Sequence, residues 1–153
     1  MFINMYVCVC VYVYIGGIPE LPLPKLKSLY LNQNFLTGVL PDLNPLTELV
    51  ELYVFNNQLS GNLPSLILNP HLTRLAFNLN EFHGVIPDYS HLSGLLMLNL
   101  QNNMLTGRFP VLNLNLGADG DGDGDGGGSE SGLFALQLHN NELTGVLPSP
   151  EEV

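Results

Sequence analysis

The chain has 153 residues and a formal net charge of −10 at pH 7, and at this length a single domain is expected. The acidic excess is local, because residues 1–116 carry six acids against four bases, a balance of −2. No basic stripe is present in the sequence, which argues against binding to nucleic acid or to an anionic membrane surface.

Residues 1–15 form an apolar leader in which valine alternates with cysteine or tyrosine, and three interpretations stay open. A signal peptide or membrane anchor fits the apolar character, but a basic start and a small-residue cleavage site are missing, and a span needs about 20 apolar residues. Val-Cys and Val-Tyr alternation is also what a GT/AT dinucleotide repeat encodes, which indicates translated intron. The third interpretation is a genuine edge strand. Membrane association is expected only through this uncertain segment or one outside the given sequence.

From residue 16 onward the sequence repeats with a regular period. Five asparagines share one context, and the first four are evenly spaced, whereas the fifth follows after a longer interval: Asn34, Asn57, Asn80, Asn103 and Asn141. A leucine five residues before each asparagine and a proline seven residues after it follow the same spacing. The last interval exceeds one period, so an insertion separates the fourth unit from the fifth. We therefore place a repeat array at residues 16–148, with a worn first copy at 16–19 and a short tail at 149–153.

Each unit is predicted to contain one short strand followed by a buried asparagine. In the first full unit, Leu29 and Leu31 alternate with outward residues, as a half-buried strand requires. Asn34 falls on the inward side, where an amide persists only if it is hydrogen-bonded. We predict a structural ladder in which each of the five asparagines bonds to backbone groups of the neighbouring coil.

The second half of each unit carries a Leu-x-Gly-x-Leu-Pro type of motif, as in Leu36-Thr-Gly-Val-Leu-Pro41. Together with the strand, it resembles the plant-type leucine-rich repeat in five registered copies over residues 23–148. The resemblance implies an α/β-type solenoid: a right-handed coil with a short parallel sheet on its concave face, five full repeats and the worn N-terminal one. Cysteine pairs that cap the arrays of secreted relatives are missing, so we interpret the chain as a fragment of the ectodomain of a receptor-like protein or receptor-like kinase.

Residues 117–132 are an acidic, Gly/Asp-rich insert within the array, and their composition predicts a disordered spacer. The spacing of an EF-hand calcium loop is matched by Asp119, Asp121, Asp123 and Glu130. The flanking residues belong to the repeat rather than to helices, and Gly126 stands where such loops carry an apolar residue. We expect only weak, electrostatic association with calcium, no other metal and no cofactor.

The residues between the strand leucines are predicted to face the concave surface in two rows. The first row is Tyr30, Tyr53, Ala76, Asn99 and Gln137, and the second is Asn32, Phe55, Asn78, Gln101 and His139. Aromatic rings gather at the N-terminal end and amides toward the C-terminal end, which suits protein or peptide contacts and also stacking on sugars. Exposed Tyr and Phe are favoured on strands for packing reasons alone, so both readings stay open. Glu51 and Arg74 flank the strands and are expected to pair.

Catalysis finds no support in the sequence. The four histidines, His71, His83, His91 and His139, lie at different points of the repeat, and no nucleophile, phosphate-loop or kinase motif is present. We therefore expect a binding module that is not an enzyme.

The main hypothesis is a protein- or peptide-binding module of a receptor-like signalling or recognition protein, with a co-receptor or a cell-wall sugar as a further partner. The alternatives are a small secreted inhibitor similar to polygalacturonase-inhibiting proteins and a truncated, non-functional paralogue. The resemblance implies an extracellular or membrane-associated location. The absence of any N-x-Ser/Thr sequon and of disulfide caps argues against secretion, so the compartment stays open.

Overall fold

The computed structural model describes residues 5–8, 15–110, 133 and 135–145, with side chains described from Ile15 onward. These residues form twelve short strands in two parallel six-stranded sheets, and no helix occurs among them. Successive strands alternate between the sheets, so each coil contributes one strand to each sheet.

The first sheet contains the strand that the leucine alternation predicts in each repeat. In sheet order its members are β1 (Met5–Cys8), β3 (Leu26–Tyr30), β5 (Glu51–Tyr53), β7 (Arg74–Ala76), β9 (Met97–Asn99) and β11 (Ala135–Gln137). All neighbours are parallel, and equivalent leucines face each other, as Leu29 faces Leu52 and Leu52 faces Leu75. The predicted parallel sheet is confirmed, and Met5–Cys8 of the leader lies at its edge.

A second parallel sheet is formed by the glycine-containing half of each repeat. Its members are β2 (Ile15–Gly16), β4 (Phe35–Val39), β6 (Gln58–Gly61), β8 (Glu81–Val85), β10 (Met104–Arg108) and β12 (Glu142–Thr144). The residues after each ladder asparagine stay extended and pair with the next coil, and the prolines that follow cannot donate to the sheet. The solenoid prediction is confirmed, but its helical component does not appear among the described residues, where strands and turns complete each coil.

The long interval between the fourth and fifth repeats leaves the first sheet uninterrupted. Leu136 of β11 faces Leu98 of β9 across this interval, just as Leu75 faces Leu52 across one ordinary period. The inserted residues are therefore accommodated without a change of register. The calcium candidates of the insert and the tail at 149–153 lie outside the described residues.

The core is one column of equivalent apolar residues contributed by both sheets. Its fully buried members include Leu52, Leu75 and Leu98 of the first sheet and Leu59, Phe82 and Leu105 of the second. Phe77 and Phe82 meet edge to face, with ring centroids 5.7 Å apart. Each coil therefore covers the apolar face of its neighbour, which is how a repeat array acquires stability.

A ladder of asparagine side chains joins the coils beside this column. The Nδ2 of Asn103 donates to the carbonyl of Leu100 in its own coil and to that of Phe77 in the preceding coil, both at 3.1 Å. Its Oδ1 accepts the N–H of Phe82 at 3.0 Å. The same bonds to the preceding coil are made by Asn57, Asn80 and Asn141, while Asn34 donates to two carbonyls of its own turn.

One position in β10 of the second sheet requires glycine for a steric reason. Gly107 has a φ of +77°, and a Cβ at this position would lie 2.9 Å from Cγ1 of Val85 in the neighbouring coil. Both the left-handed backbone and the close approach exclude a side chain there.

Candidate ligand-binding face

The outward face of the first sheet carries both predicted rows in line. Tyr30 faces Tyr53, Tyr53 faces Ala76, Ala76 faces Asn99, and Asn99 faces Gln137. The second row lies just past the strand ends. Backbone hydrogen bonds between coils continue there, because N–H groups of the preceding coil donate to the carbonyls of Phe55, Asn78, Gln101 and His139. Ala76 is only 3% exposed, so the surface is depressed at this small side chain, between the aromatic and amide ends of the face.

The aromatic end is a set of three contacting rings, which we call the aromatic platform: Tyr30, Tyr53 and Phe55. The rings of Tyr30 and Tyr53 stack with centroids 5.0 Å apart and an interplanar angle of 24°. Phe55 lies 6.4 Å from Tyr53 in a tilted arrangement. Stacked and tilted ring pairs are favourable geometries, and the parallel register of the strands brings these side chains together.

A hydrogen-bonded carboxylate fixes one edge of the aromatic platform. Oε2 of Glu51 accepts hydrogen bonds from the hydroxyl of Tyr30 and from Oγ of Ser28, the latter at 3.2 Å. Oε1 of Glu51 accepts from a guanidinium nitrogen of Arg74 at 2.8 Å. The expected pairing of Glu51 with Arg74 is therefore present, and it balances the charge of a carboxylate that contacts the platform.

The ionisation of this cluster follows from its contacts. Burial acts to raise the pKa of the Glu51 carboxyl, but hydrogen bonds from Tyr30, Arg74 and Ser28 outweigh burial and leave that pKa below its ordinary value. The pKa of the Tyr30 hydroxyl is raised by burial and by its bond to Glu51. Burial and the charge of Glu51 also raise the pKa of Tyr53. At neutral pH the carboxylate is ionised and both phenols are protonated.

The opposite end of the face, which we call the amide end, consists of Asn78, Asn99, Gln101, Gln137 and His139. Nε2 of Gln101 donates to Oε1 of Gln137 at 2.6 Å, so these two coils are linked on the surface as well as in the core. Asn78, Asn99 and Gln101 are half-buried, whereas Gln137 and His139 are exposed. Amides both donate and accept, so the four amide side chains of this end present uncharged hydrogen-bonding groups. Asn32 is half-buried near the platform.

Sequence reasoning did not assign a role to Ser28, which is buried and bonded to Glu51. The signal was available in the repeat spacing. A third row precedes the two predicted rows by two and four residues in each coil: Ser28, Glu51, Arg74, Met97 and Ala135. Its polar members support the aromatic platform from one side.

The other chemically active side chains are dispersed. The histidines His71, His83, His91 and His139 are all exposed. Among the described residues, no group of three or more His, Cys, Asp or Glu side chains is arranged to hold a metal ion. No helix in the same part of the chain has the length and apolar character to span a membrane. The described face is therefore equipped for stacking and hydrogen bonding.

Comparison with known proteins identifies the fold. A family model described as Leucine Rich Repeat matches residues 25–45 and 48–70. The Arabidopsis receptor kinase HAESA, in complex with the peptide hormone IDA and the co-receptor SERK1, is 36% identical with a TM-score of 0.72, over 88% of this chain and 21% of that chain. The plant peptide hormone receptor RGFR1, in complex with RGF2, is 30% identical with a TM-score of 0.74, over 89% of this chain and 20% of that chain.

A third similar structure is the PEPR1–AtPEP1 complex, at 28% identity and a TM-score of 0.75, over 94% of this chain and 19% of that chain. No curated protein matches the sequence. The chain spans about a fifth of the length of the receptors that it resembles. Repeat, fold and structural likeness agree: the chain contains leucine-rich repeats of the plant type and is similar to a portion of a receptor ectodomain.

Proposed function

We propose that this chain is a peptide-binding module of a receptor-like protein and that an extended peptide lies along the outward face of the first sheet. The observation that carries the proposal is the in-register face itself, with an aromatic platform at one end and an amide end at the other. Solved structures similar to this chain include receptors in complex with peptide hormones, which supports the same class of ligand.

The aromatic platform is suited to anchor one apolar residue of such a peptide. Tyr30 is bonded to Glu51 and stacked on Tyr53, so part of the platform is ordered before a ligand arrives. Ordering in advance reduces the side-chain entropy lost on binding. Because Arg74 neutralises Glu51, the platform favours an aromatic residue or a proline over a charged residue.

The amide end is suited to the peptide backbone. Peptide groups offer one donor and one acceptor per residue, which side-chain amides such as those of Asn78 and Gln101 can match without selecting a side chain. Four intervals between adjacent strands separate Tyr30 from Gln137, or about 19 Å at the usual strand spacing. An extended segment of about six residues covers that length.

The proposal is tested by peptide selection. The purified chain serves as bait for a displayed library of random twelve-residue sequences. Calorimetric Kd values of selected peptides are then compared between the wild type and variants that remain folded by circular dichroism. Tyr53→Ala and Gln101→Ala are each expected to weaken binding by about tenfold, the loss of one well-packed or hydrogen-bonded contact. His83→Ala on the second sheet is the matched control and is expected to leave Kd unchanged.

Two results would contradict the proposal: no peptide enriched over an unrelated bait, or selected peptides whose Kd is the same for all three variants. The same purified chain addresses the alternatives from the sequence. Inhibition of a polygalacturonase without peptide binding would favour the inhibitor, and a chain that does not fold would favour the truncated paralogue. Binding of wall oligosaccharides, and not of peptides, would assign the aromatic platform to sugar stacking.

A further inference from the structure

The second repeat departs from its neighbours after Pro64, at a position where the adjacent repeats place a buried leucine. Leu46 and Leu92 occupy this position in the first and third repeats and are buried. The second repeat has Asn69 instead, with 0% of its surface exposed. Its Nδ2 donates to the carbonyls of Leu43 at 3.0 Å and Leu46 at 2.9 Å. Its Oδ1 has no hydrogen-bond partner within the described structure.

Asn69 lines an open cleft of about 230 Å³ between the first and second repeats, which we call the Asn69 cleft. The other polar residues of the cleft are Asp42, Asn44, Asn62 and Ser65, and leucines and prolines form the remaining walls. Asp42 brings the only formal charge to this lining, and no basic residue is part of it. A single water needs only about 10–15 Å³ of such space, so one water accounts for a small part of the volume.

Two more features of the same segment are unusual. Leu66, which lines the cleft, has a φ of +57°, a left-handed conformation that is unfavourable for leucine. The next two residues, Ile67 and Leu68, are 65% and 54% exposed. Adjacent exposed branched side chains beside a polar cleft are characteristic of contact surfaces, and strained backbone concentrates at binding sites.

We propose that the Asn69 cleft receives a lysine or arginine side chain of a partner protein, whose adjoining apolar residue packs on Ile67 and Leu68. The cleft offers leucine and proline walls for the aliphatic stem of the basic side chain. The carboxylate of Asp42 and the unpaired Oδ1 of Asn69 supply acceptors for the cationic group, which carries donors only. The apolar pair Ile67 and Leu68 favours a protein segment over a free amine.

This contact is separate from the peptide face, because the residues that line the Asn69 cleft are not part of the two rows or of the amide end. Loss of Oδ1 in Asn69→Leu should therefore leave the Kd of library-selected peptides unchanged. The two proposals can fail independently.

The test uses the tripeptide acetyl-Leu-Lys-Leu-amide and its uncharged analogue acetyl-Leu-norleucine-Leu-amide. Binding to the whole chain is followed by NMR through the side-chain amide of Asn69 and the backbone amide of Ser65. We expect saturable shifts with the lysine peptide and a Kd at least about tenfold weaker for the uncharged analogue, the effect of losing a charge-assisted hydrogen bond.

Two variants and one matched control localise the binding. Asp42→Asn retains an oxygen that can accept the N–H of Asn44, as Oδ1 of Asp42 does at 3.0 Å, but removes the charge, and we expect about tenfold weaker binding. Asn69→Leu restores the leucine of the neighbouring repeats, so it should fold, and it should also weaken binding. The control is Asp88→Asn at the equivalent position of the third repeat, where Oδ1 of Asp88 accepts the N–H of Ser90 at 2.8 Å; its Kd should equal that of the wild type.

The apolar contact is tested with Ile67→Ser, which should weaken the lysine peptide but not n-butylammonium, a free amine of the same stem length. Equal binding of the lysine and norleucine peptides, equal Kd values for wild type and Asp42→Asn, or the absence of any shift would overturn the proposal. Binding of n-butylammonium as tight as that of the lysine peptide would assign the cleft to free amines and would overturn the protein partner.

Discussion

Two segments of each repeat, the strand with its ladder asparagine and the turns that follow the proline, are held together in different ways. In the strand-and-ladder segment, bonds run from coil to coil, as when Asn103 joins Phe77 and Leu100 through one amide. In the segment that follows the proline, backbone turns close within one repeat, as in the bond from the N–H of Leu46 to the carbonyl of Leu43. Bonds between coils are made there by side chains that differ from repeat to repeat, such as Asn69 and Tyr89. The strand-and-ladder segment keeps nearly the same residues in every coil, and the segment after the proline does not. A residue that serves two coils is constrained by both, whereas a local turn is free to change.

The largest expected effect comes from breaking the ladder. Asn103→Ala removes the donor to two carbonyls and the acceptor for the N–H of Phe82, and Asn103 is only 9% exposed, so water replaces these bonds poorly. Each buried group left unpaired costs about 1–3 kcal/mol. We expect the free energy of unfolding to fall by about 3 kcal/mol or more, as measured by urea titration.

Gln58→Ala is the control for the ladder variant, because Gln58 is an exposed amide on β6. Its effect should stay within about 0.5 kcal/mol, as for most surface substitutions. If both variants lose the same free energy of unfolding, the hydrogen bonds of the ladder do not stabilise the coils more than an exposed amide does.

A gain in stability is expected at one position where the repeat departs from its own pattern. The residue before each ladder asparagine has a φ near +57° in every full repeat: Gln33, Asn56, Leu79, Asn102 and Asn140. Asparagine tolerates this left-handed conformation, whereas leucine is strained by about 1 kcal/mol. Leu79 is 46% exposed and loses little burial when replaced. We expect Leu79→Asn to raise the free energy of unfolding by about 1 kcal/mol. This corresponds to a rise of about 2–4 °C in the midpoint of thermal unfolding, measured by circular dichroism.

The reverse exchange at an equivalent site, Asn102→Leu, should lower the midpoint. Asn102 also accepts a hydrogen bond from Nδ2 of Asn140 at 2.7 Å. The stability lost in Asn102→Leu should therefore be at least as large as the stability gained in Leu79→Asn. A midpoint for Leu79→Asn at or below that of the wild type would mean that packing of the leucine outweighs the backbone strain.

Most of the fold could be predicted because the recurring residues of a repeat show which positions of successive coils lie side by side. Leu29, Asn34 and Pro41 recur together, and that spacing sets the first sheet, the ladder and the location of the insertion. The second sheet was not predicted, because Thr37-Gly38-Val39 shows no apolar alternation that would indicate a strand. Its pairing comes from the stacking of the coils rather than from the pattern of any one segment.

The positions of the residues on the candidate face could be predicted, but the contacts between their side chains could not. Equivalent spacing placed Tyr30 and Tyr53 in one row, and the two rings are indeed neighbours. The bonds from Ser28 and Tyr30 to Glu51 depend on rotamers that spacing does not specify. The Asn69 cleft was not foreseen, because the repeat period shows an asparagine at a leucine position but does not show that its Oδ1 is buried without a partner among the described residues.

The smallest expected effect is a pH dependence located at Glu51. Its pKa lies below the ordinary value in the folded chain, so the unfolded state binds its proton at a higher pH than the folded state does. Stability from this group is therefore fully present above the unfolded pKa of about 4.3 and is lost as pH falls through the lower, folded pKa. Urea midpoints of wild type and Glu51→Gln should differ at pH 7 and converge toward pH 3, while Glu81→Gln, an exposed carboxylate on the second sheet, should show no such convergence. A wild-type advantage that persists unchanged at pH 3 would mean that the ionised carboxylate is not what holds Tyr30 and Arg74 against the aromatic platform.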